Sequence, residues 1–335
     1  MTTLLADVGG TNVRFALADA LAPMPLLGDS ILRYRVADFA GFSEAARQYL
    51  DDTGAQPTRG VFAFAGPVSG DEVHLTNHPW STVLSRTRRD LALDGLRALN
   101  DFAAMSLALP LLGCDDVEAI GGPPMARVGA AADQTFAIVG PGTGLGVGGL
   151  LVRDGRIAVL ETEGGHLGFA PASAEEIEIL RHLATRFGRV SNERVLSGNG
   201  LLNLYRALGE ISGEPIDEQI EPAAITRRAA DRSDALCLRT VERFCELLGA
   251  ASGDLVLGFG AWDGVCLTGG ITAHLLPWLR EEGFRRRFED KGRYRARMVR
   301  VPTIAVLHPD AGLLGTAAQA VIDGGGDLVR RHASG

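Results

Sequence analysis

Two short glycine turns in this sequence contain the residue types that bind phosphate groups. The first is Asp7-Val8-Gly9-Gly10-Thr11-Asn12, and the second is Gly142-Thr143-Gly144. Glycines between two strands let backbone N–H groups approach an anion closely, and Thr11 adds a hydroxyl donor. Asp7 ends the preceding strand, where its carboxylate could hold Mg²⁺ directly or through water. A plain hairpin is the alternative for one turn alone, and the second copy favours phosphate binding.

Asn100-Asp101 lies where a predicted strand meets a predicted helix. Ligands of open α/β sheets bind at that carboxyl edge. During phosphoryl transfer to an alcohol, a carboxylate placed there can accept the hydroxyl proton while positioning does most of the work. At an ordinary pKa of roughly 3.9, Asp101 is expected to be ionised at neutral pH. The alternative is a helix N-cap, a position that Asn and Asp favour.

Glu163-Gly164-Gly165-His166 holds a carboxylate and an imidazole close together on a loop. Several hydrogen-bonding groups on one small surface suit a polyhydroxylated ligand. Glu193, within Ser191-Asn192-Glu193-Arg194, is a similar candidate. The alternatives are a structural histidine, a solvated loop charge, and for Glu193 a favourable charge at a helix start.

Gly269-Gly270 ends a predicted strand before a helix, which makes a flat backbone surface for an adenine or ribose. Taken alone this signal is weak. The sequence lacks the GxxxxGK[ST] pattern of P-loop enzymes. A GxGxxG does occur at 144–149, but a strand-like segment and a hairpin follow it where a dinucleotide-binding unit needs a helix. We interpret that match as a coincidence.

The predicted elements repeat one plan in the two halves of the chain. Each half begins with three hairpin-connected strands and continues with helices and strands in alternation, which implies two α/β domains facing each other across a cleft. Residues 210–222 are expected to form a surface loop. The predicted strands are 3–8, 12–18, 31–36, 61–65, 96–99, 135–139, 145–152, 156–161, 264–268 and 303–307. The predicted helices are 42–50, one after 101, 174–187, 198–208, 232–250, and one from about 272.

Composition is that of a globular protein and limits the function classes. The 335 residues are 46% hydrophobic and 22% charged, with a net charge of −8. That charge disfavours nucleic acid as a partner. The basic segment 285–300 is interrupted by acidic residues and is expected to be a solvated, salt-bridged face. The longest apolar stretch, 102–112, is too short for a membrane span, so a cytoplasmic protein is expected.

The four cysteines lack the spacing of a zinc site or a disulfide framework. We expect them to be small buried hydrophobes. They are Cys114, Cys237, Cys245 and Cys266.

A series of motifs, in order, resembles those of the bacterial glucokinases, which belong to the hexokinase, actin and Hsp70 ATPase-fold superfamily. The resemblance runs from about Leu4 to Ala320. Ala6 departs from the glycine that relatives often have there, and little effect is expected. The motifs are DVGGTN at 7–12, TNHPW at 76–80, NDF at 100–102, GTGLG at 142–146, EGGHLGFAP at 163–171, ERVLSGNGLLNLY at 193–205, FEDKGR at 288–293 and GLLG at 312–315.

The resemblance implies two ribonuclease-H-like domains closing around glucose. It implies a small domain at 1–110 plus about 305–325, a large domain at 111–304, and a flexible tail at 326–335. Asp101 matches the family's catalytic base, which acts on the sugar 6-hydroxyl. The two glycine turns match the phosphate motifs, and Gly269-Gly270 matches the adenosine motif. The positions matching glucose ligands are Asn100, Asp101, Glu163, His166 and Glu193.

The resemblance also implies ATP with Mg²⁺, no zinc, and a homodimer. Three other functions stay open at this point. They are a kinase for another hexose, a sugar-sensing regulator without catalysis, and a nicotinamide-dependent dehydrogenase. The last rests only on the GxGxxG at 144–149, which lacks the helix that a dinucleotide-binding unit needs. The regulator is disfavoured because the phosphate turn begins at residue 7, which leaves no room for a preceding DNA-binding segment.

Overall fold

A computed structural model describes residues 2–75 and 80–331. Thr76 to Pro79 of the TNHPW motif, and residues 332–335 of the predicted tail, lie outside the described residues. The strands, in chain order, are β1 (Thr2–Val8), β2 (Asn12–Asp19), β3 (Leu26–Arg35), β4 (Arg59–Phe64), β5 (Val68–Ser69), β6 (Glu72–His74), β7 (Ser81–Val83), β8 (Gly95–Asn100), β9 (Val117–Gly121), β10 (Gln134–Pro141), β11 (Leu145–Arg153), β12 (Arg156–Glu161), β13 (Gly264–Leu267) and β14 (Thr303–Val306).

The α-helices lie singly between strands in the first half of the chain, whereas in the second half runs of consecutive helices separate β12, β13 and β14. They are α1 (Phe42–Thr53), α2 (Leu84–Asp90), α3 (Asp101–Ala108), α4 (Ala174–Phe187), α5 (Gly198–Ser212), α6 (Pro222–Ala230), α7 (Ala235–Phe259), α8 (Thr272–Leu279), α9 (Glu282–Glu289), α10 (Arg295–Met298), α11 (Ala311–Asp323) and α12 (Leu328–Arg331).

The first sheet has the strand order β3-β2-β1-β4-β8. Strands β1, β2 and β3 form an antiparallel meander, whereas β4 and β8 run parallel to β1. Helix α1 covers one face because Phe42, Ala45 and Tyr49 recur at helical spacing and are buried. Phe42 packs against Phe62 with ring centroids 4.9 Å apart.

The second sheet has the order β12-β11-β10-β13-β14-β9 and repeats the plan of the first. Its first three strands are again an antiparallel meander, and β13 and β14 then run parallel to β10. The α/β class and the duplicated plan predicted from the sequence are therefore confirmed. A small third sheet holds β5, β6 and β7.

Helices α3 and α11 pack against each other beside the first sheet. Their buried residues share one apolar core with side chains from both large sheets, such as Leu5 and Val61 of the first and Ile138 and Cys266 of the second. The two halves are thus joined by continuous apolar packing as well as by the chain.

Several predicted element bounds were wrong. Strand β3 begins at Leu26, not at residue 31. Helix α7 extends to Phe259, nine residues beyond its predicted end, because the glycine-rich stretch near 250 continues the helix where α9 packs along it. Residues 210–222 are partly helical, since α5 reaches Ser212 and α6 begins at Pro222.

Two further expectations also need correction. Cys114 is exposed, whereas the other three cysteines are buried. In the basic segment, Arg285 and Arg287 pair with Glu289 and Glu176 and are only 14% and 13% exposed, so part of the expected solvated face is buried.

The predicted tail includes helix α12, where Leu328 is 3% exposed and packs against the core. Within residues 2–75 and 80–331, no helix has the length and apolar character needed to cross a membrane.

Candidate active site

A cleft of about 360 Å³ lies between the two large sheets. Both glycine turns open into it, and so do the polar residues that follow β8 and β12. Its lining comprises Gly9, Gly10, Thr11, Ala65, Gly66, Asn100, Asp101, Phe102, Gly140, Gly142, Thr143, Gly144, Leu145, Gly146, Val147, Thr162, Glu163, His166, Glu193 and Gly269. The structure therefore brings most of the predicted site residues together, although they are far apart in the sequence.

Each glycine turn is the tip of a hairpin between the first two strands of its sheet. In the first hairpin, Val8 pairs with Val13 and Gly9 N donates to Asn12 O at 3.0 Å. In the second, Pro141 pairs with Leu145, and Gly142 N donates to the Gly144 carbonyl at 2.8 Å. Each turn is therefore a hairpin, and a hairpin tip that lines the cleft can also bind phosphate, so the two interpretations are compatible.

Asn100 and Asp101 occupy the junction between β8 and α3. Asn100 caps the helix, since its Oδ1 accepts the backbone N–H of Phe102 at 2.9 Å and its Nδ2 donates to Gly66 O at 3.3 Å. Asp101 Oδ1 also accepts from Phe102 N, at 2.9 Å. The capping alternative thus holds for Asn100, while Asp101 is the first helical residue and lines the cleft.

The ionisation of Asp101 differs from the sequence expectation. Burial, followed by the negative charge of Asp7, raises the pKa of Asp101 to about 7, and Glu163 adds a smaller effect in the same direction. The backbone N–H of Phe102 acts in the opposite sense. The carboxyl group is therefore only partly ionised at neutral pH. The sequence analysis could not find this shift, because the neighbouring carboxylates are distant along the chain.

Phe102 is a site residue that the sequence analysis missed. A Cβ atom on Gly146 would lie 1.7 Å from the Phe102 ring, so this aromatic side chain occupies the space above a glycine of β11. The GxGxxG that we interpreted as a coincidence thus has a packing role: it lets α3, with Asp101 at its start, lie directly on the second sheet.

Glu163, His166 and Glu193 meet on the side of the cleft formed by the second sheet. Glu163 precedes the single helical turn Gly164–His166. Glu193 Oε2 accepts the backbone N–H of Leu145 at 3.0 Å, which places its carboxylate against the second glycine turn. The predicted sugar ligands therefore adjoin the predicted phosphate turn.

Four of the residues predicted to bind the nucleotide or its metal are not among the described residues that line the cleft. Asp7 lies behind the first turn, where its Oδ2 accepts from Arg14 Nη1 at 2.9 Å. Burial raises the pKa of Asp7, and the Arg14 charge opposes this. Val8 is fully buried, whereas Asn12 and Gly270 are exposed.

A second cavity of about 590 Å³ adjoins the second glycine turn, with Gly142 and Thr143 common to both linings. It is mostly apolar, and the sequence analysis did not find its lining. The sequence did contain one signal for α6, which contributes to this lining: Pro222 occupies the first position of the helix, where proline is common. Besides the shared turn, the cavity is lined by Gly198, Leu201, Pro222, Ala223, Thr226, Arg227, Ala230, Ile271 and His274.

Comparison with known proteins shows the family of this chain. The sequence model of the family described as Glucokinase matches residues 4–322. The chain belongs to the glucokinase family. A curated glucokinase of Stenotrophomonas maltophilia is 52% identical over 318 residues, which cover 95% of this chain and 94% of that protein.

Solved structures of glucokinases share the fold. The crystal structure of a glucokinase from an Antarctic psychrotroph has a TM-score of 0.85 at 33% identity, covering 95% of this chain and 98% of that one. A glucokinase from Balamuthia mandrillaris, solved in complex with glucose, has a TM-score of 0.78 at 20% identity over 96% and 93% of the two chains. The predicted family and the actin-like ATPase fold, which glucokinases have, are thus confirmed.

Proposed function

We propose that this glucokinase-family chain transfers the γ-phosphoryl group of ATP to the 6-hydroxyl of glucose, giving ADP and glucose 6-phosphate. One observation carries the proposal: two phosphate-type turns, a buried carboxylate at a helix start and a cluster of sugar-type ligands line a single cleft. An enzyme that only hydrolyses ATP would not need the sugar-type ligands. A regulator that only binds sugar would not need the two phosphate-type turns.

The sugar site consists of polar side chains from both halves of the molecule. Asn100 and Asp101 come from the first, and Glu163, His166 and Glu193 from the second. Carboxylates accept hydrogen bonds from sugar hydroxyls, and an imidazole can donate or accept. The glucose would therefore bridge the two halves, with its 6-hydroxyl at Asp101.

Asp101 serves as the base. Once ionised, its carboxylate accepts the proton of the 6-hydroxyl as the phosphoryl group arrives, and it is already held by the backbone N–H of Phe102. A pKa of about 7 is close to the operating pH, which suits a general base because it combines basicity with a useful ionised fraction.

The two glycine turns cradle the phosphates through backbone N–H groups, with Thr11 and Thr143 as hydroxyl donors. The apolar second cavity lies next to Gly142-Thr143 and so accommodates the adenosine end of ATP beside Gly269-Gly270. Nucleotide and sugar thus approach Asp101 from different directions.

Mg²⁺ would be held by Asp7 together with the phosphates. The residues present fit this ion, because Mg²⁺ commonly takes one or two carboxylates and completes its shell with phosphate oxygens and water. The described residues contain no cluster of three or more metal-binding side chains, so phosphates must supply part of the shell. When bound, the ion neutralises phosphate charge. Arg14 Nη1 donates to Asp7 Oδ2 at 2.9 Å and orients the carboxylate, whose side chain keeps 17% of its surface exposed.

Three features of the whole protein belong to the same proposal. The small domain comprises 1–110 with about 305–325, and the large domain comprises 111–304; residues 326–331, which include α12, follow the small domain. Packing of α11 on β1 and β4 supports assigning that helix to the small domain. The enzyme is cytoplasmic and forms a homodimer, which a mass of twice the 35.4 kDa of one chain would reveal.

A coupled assay across a panel of hexoses tests this function. With ATP and Mg²⁺, glucose should give the highest kcat/KM among glucose, mannose, fructose and glucosamine. One missing or inverted hydroxyl leaves buried polar groups unpaired, which costs at least about tenfold in kcat/KM. A higher kcat/KM for another sugar would make the chain a kinase for that hexose, and no turnover with any of them would contradict the proposal.

A further inference from the structure

The carboxylate of Asp310 lies behind the first phosphate turn and takes no part in the reaction proposed above. Asp310 is only 5% exposed and immediately precedes α11. Arg33 Nη2 lies 2.7 and 2.8 Å from its two oxygens, and Arg14 Nε lies 3.6 Å from its Oδ1. A buried carboxylate is stable as an ion only where such partners replace water.

Arg14 is shared between Asp310 and Asp7. Its Nη1 donates to Asp7 Oδ2 at 2.9 Å, whereas its buried Nε has no hydrogen-bond partner in residues 2–75 and 80–331. One guanidinium group thus faces two carboxylates and bonds closely to one of them. The position of Arg14 therefore depends on how strongly Asp310 attracts it.

The register of the first sheet explains how Arg33 affects the position of Arg14 between Asp7 and Asp310. Asp7 pairs with Arg14 between β1 and β2, and Arg14 pairs with Arg33 between β2 and β3. Two like charges directly opposite each other on neighbouring strands repel. The Asp310 carboxylate contacts both guanidinium groups and offsets this repulsion, so the four charges form one unit.

Helix α11 couples this unit mechanically to Asp7. A Cβ atom on Gly312 would lie 2.7 Å from the Asp7 carboxyl carbon, so the first turn of the helix is in direct contact with that side chain. Asp310 begins the same turn. A change in the pairing of Asp310 would therefore reach Asp7 through the helix as well as through Arg14.

We propose that Arg33 and Asp310 are positioning residues for the metal–nucleotide site. Together they hold Arg14 in the place from which it orients the Asp7 carboxylate beside the first phosphate turn. The inference rests on the proposed function, in which Asp7 holds the Mg²⁺ that accompanies ATP. Hydrogen bonds from such outer residues commonly orient the ligands of a metal.

Arg33→Leu is the direct test, because it leaves the buried Asp310 facing Arg14. Arg14 should then move to Asp310 and release Asp7. We expect the affinity for Mn²⁺ in the presence of the ATP analogue AMPPNP, measured by electron paramagnetic resonance, to fall about tenfold. The kcat/KM for ATP should fall similarly, and glucose affinity measured by calorimetry should not change. Arg33→Lys keeps the charge and should retain most of the Mn²⁺ affinity.

The pair Arg97–Asp323 at the other end of α11 provides a matched control. Arg97 Nε lies 2.9 Å from Asp323 Oδ2, and the side chains of Arg97 and Arg33 are 53% and 55% exposed. Arg97→Leu should leave the affinity for Mn²⁺ with AMPPNP unchanged. Equal losses in Arg33→Leu and Arg97→Leu would show that the Arg33 pair only stabilises the fold.

A compensating variant makes the test stricter. In Arg33→Leu combined with Asp310→Asn, the neutral amide no longer attracts Arg14, so Mn²⁺ affinity should recover most of its loss. No recovery in a folded double variant would overturn the proposal. Failure of the proposed function would look different: the wild type would bind Mn²⁺ with AMPPNP in an Arg33-dependent manner and yet phosphorylate no glucose.

Discussion

At the scale of the residue, Asp101 shows how the cleft changes the chemistry of an ordinary side chain. Its pKa is raised to about 7 because it is buried and because Asp7 and Glu163 add negative charge. A carboxyl with a raised pKa binds its proton more strongly in the folded chain than in the unfolded one. Its contribution to stability is therefore complete at low pH and is lost as the pH rises through about 7.

Asp101→Asn separates catalysis from binding. We expect kcat to fall by orders of magnitude, because the amide cannot accept the hydroxyl proton, while glucose affinity measured by calorimetry stays within about tenfold. Near wild-type turnover would contradict the assignment of Asp101 as the base.

The thermal stability of the same variant, measured at two pH values, tests whether the pKa of Asp101 is raised. Its amide side chain stays neutral at every pH, so the variant lacks the cost of ionising a buried carboxyl beside Asp7. The melting temperature of Asp101→Asn should exceed that of the wild type by a few degrees at pH 8 and match it more closely at pH 5. An equal difference at both pH values would show that Asp101 has an ordinary pKa in the folded protein.

At the scale of the element, the site depends on helices that touch other backbone segments. Helix α3 lies on β11 through the contact of Phe102 with Gly146. Helix α11 approaches α3 so closely that a Cβ atom on Gly315 would lie 1.7 Å from the carbonyl oxygen of Ala104. The GLLG motif at 312–315 thus packs one helix against both Asp7 and the helix that carries Asp101.

Gly315→Ala should therefore destabilise the protein by at least about 2 kcal/mol, since a methyl group cannot fit between two backbones without moving a helix. Urea unfolding followed by circular dichroism measures this. Gly258→Ala is the control, because it lies in α7 and its Cβ would meet no atom within 4 Å. That variant should lose no stability and gain at most about 0.5–1 kcal/mol, the value for a glycine in the middle of a helix. Comparable losses in both variants would argue against the helix contact.

At the scale of the whole molecule, the cleft separates two sheets that share one apolar core. The residues proposed to bind the sugar lie on both sides of it, so glucose binding should draw the halves together and exclude water. The side chains of α3 and α11 pack in the shared core, so a closure of this kind would move these helices relative to the second sheet.

Glucose should accordingly decrease the radius of gyration that X-ray scattering measures for the protein without glucose. The double variant Glu163→Ala/His166→Ala, tested at the same glucose concentration, should show no decrease because it lacks two of the proposed sugar ligands. An unchanged radius in wild-type protein that binds glucose by calorimetry would mean that the cleft does not close.

Much of this protein was predictable from the sequence alone. Asp7 to Asn12 and Gly142 to Gly144 predicted two glycine turns between strands, and both are hairpin tips that open into the cleft. Their binding of phosphate stays a prediction. Alternation of apolar residues identified most strands, and the ordered motifs indicated the family. Each of these signals lies within a short segment of the chain. It can therefore be recognised without knowing which distant residues become neighbours in the fold.

The tertiary structure decided what depends on neighbours far away in the chain. The raised pKa of Asp101 comes from burial and then from the charge of Asp7, and the packing role of Gly146 comes from Phe102. The lining of the second cavity and the unit of Arg14, Arg33 and Asp310 are formed by segments as much as 277 residues apart. Burial, charge proximity and backbone contact are properties of the folded arrangement, and a sequence pattern does not contain them.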